Sequence, residues 1–280
     1  MKAARFEYER PADIERAIQL LASGDREAKI LAGGQSLGPM LNLRLATPEL
    51  LVDVTRIPEL NRVESEHDTV VLGACVTHAA IEDRRVPDGT HGIMPRVARG
   101  IAYRAVRNRG TVGGSLAHAD PAADWIVCLA ALGAEVVAVG AGGRRSIAVS
   151  ELVVGAFETS LRSGEMIESV RIPRPSARAS WGFYKVTRKE GKFADAMAAV
   201  LCDSERGVYR VALGAMESKP VVVADAATLC QHGSELVPRR FGSDTPALRI
   251  LKDAGLGGDD YAIRVHIVAL QRALAQTQPT

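Results

Sequence analysis

Residues 31–38 read LAGGQSLG and residues 111–124 read TVGGSLAHADPAAD. The chain thus twice sets an adjacent glycine pair and a serine between an apolar stretch and a helix-like one. Paired glycines let the main chain take positive φ and let a ligand approach without meeting a Cβ. Successive amide hydrogens in such a turn converge into a concave anion site, and a following helix adds the positive end of its dipole. Phosphate is the natural guest. Ser36 and Ser115 each offer a hydroxyl donor, and two such loops face to face can hold the two phosphates of a dinucleotide. The plain alternative, an ordinary tight turn, stands beside this reading. Neither element has the spacing of GxGxxG, and no GxxxxGK[ST] loop occurs.

The totals narrow the class. A chain of 280 residues exceeds the common size of one domain and is long enough to bury a substantial core as one large domain or two. Thirty-five Lys and Arg against 33 Asp and Glu leave a formal charge of +2, too balanced for a nucleic-acid-binding field. The longest apolar run, residues 125–142, is interrupted by Gly133 and Glu135 and reads as a helix followed by a strand, not a membrane span. The start, MKAARFEYERP, lacks the apolar stretch of a signal peptide, so a cytoplasmic protein is expected. Cys75, Cys128, Cys202 and Cys230 form no CxxC, and the six histidines form no HxxxH pair. No metal site is expected.

The elements that must position the glycine pairs follow from periodicity. PADIERAIQLLAS spaces Ile14, Ala17, Ile18 and Leu21 as an amphipathic helix starting at Pro11 and stopping near Gly24. AKILA predicts a strand entering Gly33, SLGPMLNLRLA a helix halted by Thr47-Pro48, and LLVDV and TVVLGA strands. Thr77 caps a helix in THAAIEDRR, and a further helix is expected from Gly92 to Ala105. PAADWIVCLAAL predicts a helix with Asp120 as its N-cap, and AEVVAV, RRSIAV and EMIESVRIP predict strands. At PRPSARAS, residues 173–180, proline and serine punctuation is densest and a domain boundary is expected. Beyond it GFYKVTR, DAMAAVLCD and GVYRVALGAM predict antiparallel strands. VADAATLCQH, TPALRILKDAG and DDYAIRVHIVALQRALAQ predict helices.

AGGQSLGPMLNLRLATPELLVDVTRIPEL followed by VRNRGTVGGSLAHADPAAD closely resembles the FAD-binding medium subunits of the molybdenum hydroxylases, the xanthine dehydrogenase and carbon monoxide dehydrogenase family. The likeness runs through RIPRP and GFYKVTRKEGKFADAMAAV and covers essentially the whole chain. It implies an α+β fold: an FAD-binding domain of the vanillyl-alcohol oxidase (PCMH) type in residues 1–175, made of two α/β subdomains (about 1–56 and 57–175). A C-terminal domain, residues 176–280, would be a three-stranded antiparallel sheet with helices. By the family pattern, Ala32, Gly33, Gly34, Gln35 and Ser36, with Leu37 behind them, form the first pyrophosphate loop. Thr111, Val112, Gly113, Gly114 and Ser115 form the second. Asp124 matches the acidic residue on the ribityl chain, and Ile167 and Lys185 fall at further flavin contacts. Gln35 stands where other members carry histidine.

The resemblance implies an electron-transfer subunit whose FAD takes electrons from [2Fe–2S] clusters on a small subunit. Those clusters are fed by a molybdopterin site on a large subunit, in a dimer of heterotrimers. NAD, oxygen or a quinone would be the acceptor. Purines, carbon monoxide, N-heterocycles and aldehydes all remain open as substrates, because the large subunit selects them. No catalytic acid or base is expected on this chain. Its rivals are a stand-alone flavoenzyme of the same fold and a flavin-free assembly subunit. Individual residues also have plainer readings: Asp124 as a first-turn carboxylate favoured by the helix dipole, Arg104, Arg107 and Arg109 as a solvated basic face, Trp125 as core, and Lys185 as a surface lysine.

Overall fold

The computed structural model describes residues 2–24, 26–217, 219–232 and 245–277. The N-terminal part builds a parallel sheet in the order β1 (Glu7–Glu9), β3 (Leu50–Asp53), β2 (Ala28–Leu31). Every residue of β3 is buried, as a central strand covered on both faces requires. Helix α1 (Ile14–Ala22) buries Ile14, Ala17 and Leu20, and its cap is Asp13, whose carboxylate accepts the Arg16 N–H at 2.7 Å. From the carboxyl end of β2 the chain passes through residues 32–36 into α2 (Leu37–Leu43).

The middle part winds around an antiparallel sheet in the order β4 (Val63–Ser65), β5 (Thr69–Gly73), β10 (Met166–Pro173), β6 (Glu135–Gly140), β7 (Gly143–Ala148). Short helices precede or interrupt it: α3 (Pro58–Asn61), α4 (His78–Glu82), α5 (Ile93–Arg99), α6 (Arg104–Arg107), α7 (Val112–His118), α8 (Asp124–Leu132) and α9 (Val149–Leu152). The last leads into a hairpin of β8 (Val153–Gly155) and β9 (Glu158–Thr159). All nine residues of α8 are buried, and Trp125 is wholly inside, in the core as read from the sequence. A helix apolar on every side is a core helix.

Two expectations are corrected here. The helix expected from Gly92 to Ala105 is broken between Arg99 and Arg104, where Gly100 closes α5 and Ala102 turns left-handed at φ 43°. Asp120 does not cap α8: its carboxylate accepts the Ala122 N–H at 2.9 Å, and the Ala123 N–H reaches the Asp120 carbonyl at 2.8 Å. That tight turn is pinned by the Ala215 N–H to the Pro121 carbonyl, so the helix starts only at Asp124.

The C-terminal sheet has four strands where three were expected: β11 (Ser180–Val186), β12 (Ala196–Asp203), β13 (Val208–Gly214) and β14 (Val221–Val223), in that order and antiparallel. The start of the helix expected at Val223 is taken by this added strand, because three consecutive β-branched valines pair along Val211–Leu213 more readily than they coil. The helices that follow are α10 (Ala227–His232), α11 (Pro246–Asp253) and α12 (Asp260–Ala275).

Period-two alternation splits the faces of the C-terminal sheet. Met197, Ala199, Leu201 and Ala212 join the larger core with α8. Ala198, Val200, Val211 and Leu213 form a second core with Leu229, Leu251, Leu270 and Leu274. The larger core therefore runs from Ile14 to Ala212. No helix among the described residues is long and apolar enough to cross a membrane.

Candidate functional site

Residues 32–36 leave β2 beside Asp53, whose backbone pairs in register with Leu31. Ligand sites in parallel sheets form at this carboxyl edge. Gly34 is left-handed at φ +70°. Gly33 is buried against the other glycine element, and a Cβ there would run into the Arg109 carbonyl. The first internal bond of the following turn is the Gly38 N–H to the Gly34 carbonyl at 2.9 Å. Before it, the N–H groups of Gly33, Gly34, Gln35, Ser36 and Leu37 meet no acceptor among the described residues. Consecutive free amides at a glycine turn form a nest for an anion. The Gln35 side chain folds back, its Nε2 donating to the Gly33 carbonyl at 3.0 Å.

The second element is built differently, and the expectation of a matching amide cradle is corrected. Of Gly33, Gly34, Gly113 and Gly114, only Gly34 takes a positive φ. Gly113 and Gly114 lie in the first turn of α7, capped by Thr111. The Val112 N–H reaches the Val76 carbonyl and the Gly113 N–H the Ala74 carbonyl, both at 3.0 Å. Gly114 donates to Thr111 Oγ1 at 3.1 Å and Ser115 to the Thr111 carbonyl at 3.0 Å. These amides are already used, so the element contributes a bare surface. Gly113 lies flat on Ala74, a Cβ on Gly114 would stand 3.8 Å from the Ala32 Cβ, and the half-buried Ser115 hydroxyl has no partner among the described residues.

Asp124 and Lys185 come together. Lys185 Nζ donates to Asp124 Oδ1 at 2.8 Å and to the Gly100 carbonyl at 2.9 Å. Their side chains are 9% and 12% exposed, so Lys185 is not a surface lysine. Asp124 does stand in the first turn of its helix. Burial raises its pKa above the ordinary carboxyl value, against the opposing pull of Lys185. Ile167 is buried on β10 at a bulge before Ser169; the carbonyl of its neighbour Glu168 accepts the Ala74 N–H at 2.9 Å. Ile167 itself pairs with Ala138 of β6.

The arginine run divides. Arg104 pairs with Asp83 and Glu82, while Arg107 pairs with Glu82 at 2.7 Å and donates to the Ile101 and Ala102 carbonyls. Both tie α6 to the end of α4, Arg107 also fastens the loop between α5 and α6, and Arg109 is exposed. His118 packs against the Phe157 ring at 5.2 Å. No cluster of three or more His, Cys, Asp or Glu that could hold a metal ion occurs among the described residues.

Sequence reasoning missed His78. It lies beneath Gly110 and accepts a hydrogen bond from Trp125 Nε1 on Nδ1 at 3.0 Å. Burial, with the Arg107 charge adding, lowers its pKa from 6.5 to about 4. A lone histidine after a capping threonine carries no periodic signal that would have singled it out.

Comparison with known proteins bears on this geometry. The family described as "FAD binding domain in molybdopterin dehydrogenase" matches residues 4–175. The chain is similar to the nicotine 6-hydroxylase medium subunit of Paenarthrobacter nicotinovorans, 40% identical over 244 residues, covering 86% of this chain and 84% of that one. It is also similar to the caffeine dehydrogenase subunit beta of a Pseudomonas strain, 35% identical over 253 residues, covering 88% and 83%. Among solved structures, a carbon monoxide dehydrogenase from Hydrogenophaga pseudoflava superposes with a TM-score of 0.84 at 31% identity, covering 99% of this chain and 98% of that one.

Proposed function

The chain belongs to the family of FAD-binding domains of molybdopterin dehydrogenases, and from that premise we propose that it is the FAD-binding medium subunit of a multi-subunit molybdenum hydroxylase. Its relatives include medium subunits of nicotine and carbon monoxide oxidising complexes. The observation that carries the flavin reading is the run of free amides from Gly33 to Leu37, set at the carboxyl edge of a parallel sheet and closed by the second glycine element. Such donors suit a diphosphate and need no dense cationic cluster, in keeping with the formal charge of +2.

In this reading Ala32, Gly33, Gly34, Gln35, Ser36 and Leu37 hold the diphosphate from one side. Thr111, Val112, Gly113, Gly114 and Ser115 face it from the other, Gly114 by its missing side chain and Ser115 by its hydroxyl. Asp124, Ile167 and Lys185 line the remainder of the cofactor site. Bound there, FAD supplies a redox centre able to join one-electron donors to a two-electron acceptor. The protein's share is to bind it, exclude water from the buried Asp124–Lys185 end and orient it. The [2Fe–2S] clusters and the molybdopterin belong to small and large partner subunits, in a dimer of heterotrimers located in the cytoplasm, with NAD, oxygen or a quinone as acceptor.

The same proposal divides the chain into an FAD-binding domain of the PCMH type, residues 1–175, with subdomains of about 1–56 and 57–175, and a C-terminal domain, residues 176–280. It is supported by the end of the family match at residue 175 and by the separate sheets on either side of it. The test is an absorption spectrum of the purified chain, together with an assay of its activity alone and a pull-down of its partners. Flavin bands, no hydroxylation by the chain alone and co-purifying iron–sulfur and molybdenum proteins are expected. A chain that takes up no FAD, or that hydroxylates substrate unaided, overturns the reading.

A further inference from the structure

We propose that His78 is a positioning residue for the flavin, a buried strut that sets the second glycine element against the first and ties it to the helix turn bearing Asp124; this rests on the flavin reading above. His78 opens α4 behind the Thr77 cap and is 5% exposed. Its N–H donates to the Gly110 carbonyl at 2.9 Å, one half of an antiparallel bridge between Thr77 and Thr111. Its imidazole lies 2.8 Å from where a Cβ of Gly110 would stand, so the chain rests directly on the ring. One peptide earlier, the Arg109 carbonyl closes on Gly33, and the Gly110 Cα stands beside it. The imidazole therefore sets how far the second element reaches toward the free amides of the first.

The ring is fixed in turn. Trp125 Nε1 can only donate, so Nδ1 of His78 must accept and the imidazole is the neutral Nε2–H tautomer. Arg107 is the charged group that bears on it, and it is neutralised by Glu82. Trp125 directly follows Asp124 in α8, so one hydrogen bond links the loop that meets Gly33 to the turn that meets Lys185. His78 touches none of the free amides and acts on the cofactor only through Gly110 and Trp125.

The test compares the purified 280-residue chain with His78→Leu, His78→Asn and Trp125→Phe, measuring the Kd for added FAD well below each apo-protein's Tm, with circular dichroism to establish folding. His78→Leu leaves the indole donor without an acceptor and should weaken FAD binding by about tenfold or more. His78→Asn places an acceptor oxygen where Nδ1 stands and should restore Kd to within about threefold of the wild type. Trp125→Phe should weaken binding several-fold. A folded His78→Leu protein with a lower Tm but a Kd within about twofold of the wild type overturns the proposal. Should His78→Leu not fold, an unchanged Kd in Trp125→Phe does the same. A wild-type chain that fails to bind FAD overturns the flavin reading instead.

Discussion

Lys185 Nζ lies 2.8 Å from Asp124 Oδ1, and the two residues, 61 positions apart in the chain, join β11 of the C-terminal sheet to the first turn of α8. The same ammonium holds the Gly100 carbonyl, so three separate segments meet on one buried charge. Removing one partner of a buried pair strands the other, which costs more than the pair itself contributes. Lys185→Met should therefore destabilise the protein by about 3–5 kcal/mol at neutral pH. The sign with pH follows from Asp124, whose folded pKa is raised. A raised carboxyl means that the folded state binds more protons, so stability falls as pH rises from the ordinary carboxyl range through the folded value. Without Lys185 that value rises further. The penalty of Lys185→Met should be smallest in acid and grow toward neutrality in urea unfolding measured across pH; a penalty independent of pH would contradict it.

The contact between the two glycine elements predicts opposite outcomes for two neighbouring substitutions. A Cβ at Gly33 meets the Arg109 carbonyl and the Gly110 Cα, main-chain atoms that cannot swing aside. Gly33→Ala should cost about 2 kcal/mol or more and empty the flavin site. At Gly38, in α2, no atom of the described residues beyond its chain neighbours and its own helix backbone stands within 4 Å of a new Cβ, and φ is not positive. Gly38→Ala should be neutral or stabilise by up to about 1 kcal/mol, because alanine loses less entropy in a helix. Thermal unfolding of the two variants, with flavin content, distinguishes them; equal losses would mean that the Gly33 contact is not tight.

The glycine pairs, the buried helix after Trp125 and the alternating strands were legible because each is a local pattern: a period, a cap or a breaker. What was not legible depends on partners far away in sequence. The second element looks like the first in sequence, yet its amides are taken by Ala74, Val76 and Thr111, which only the folded chain brings near. Asp124 and Lys185 could each be singled out by resemblance to a family, but not as partners of one another. Val221–Val223 becomes a strand because β13 offers an edge, and the Gly92–Ala105 helix breaks because Arg107 and Lys185 draw the carbonyls of residues 100–102 outward.

His78 makes stability depend on pH in a second window. The unfolded imidazole protonates at its ordinary 6.5, the folded one only near 4. Between these values the unfolded chain binds more protons, so the stabilisation is complete above 6.5 and is lost as pH falls toward 4. The loss amounts to about 3 kcal/mol over that span. In His78→Asn this component should vanish, leaving a shallower acid limb in urea midpoints plotted against pH. Superimposable slopes for variant and wild type would show that His78 already titrates normally.

Ligand-linked stability tests which part of the cofactor the free amides recognise. Any molecule that binds only the folded state stabilises it by about 2.7 kcal/mol at a hundredfold excess over its Kd. Five adjacent N–H groups, from Gly33 to Leu37, lack acceptors among the described residues, and Gly34 holds the turn open at φ +70°. Because those donors suit phosphate oxygens, ADP should raise the Tm of the apo-protein at concentrations where adenosine and riboflavin do not, and FAD should raise it most. Gly33→Ala should abolish the ADP shift, since it displaces the loop from Arg109. Ser115→Ala should only reduce it, because a single hydroxyl is lost while the amides stay. Equal shifts from adenosine and ADP would mean that the base or sugar, not the diphosphate, is what this turn binds.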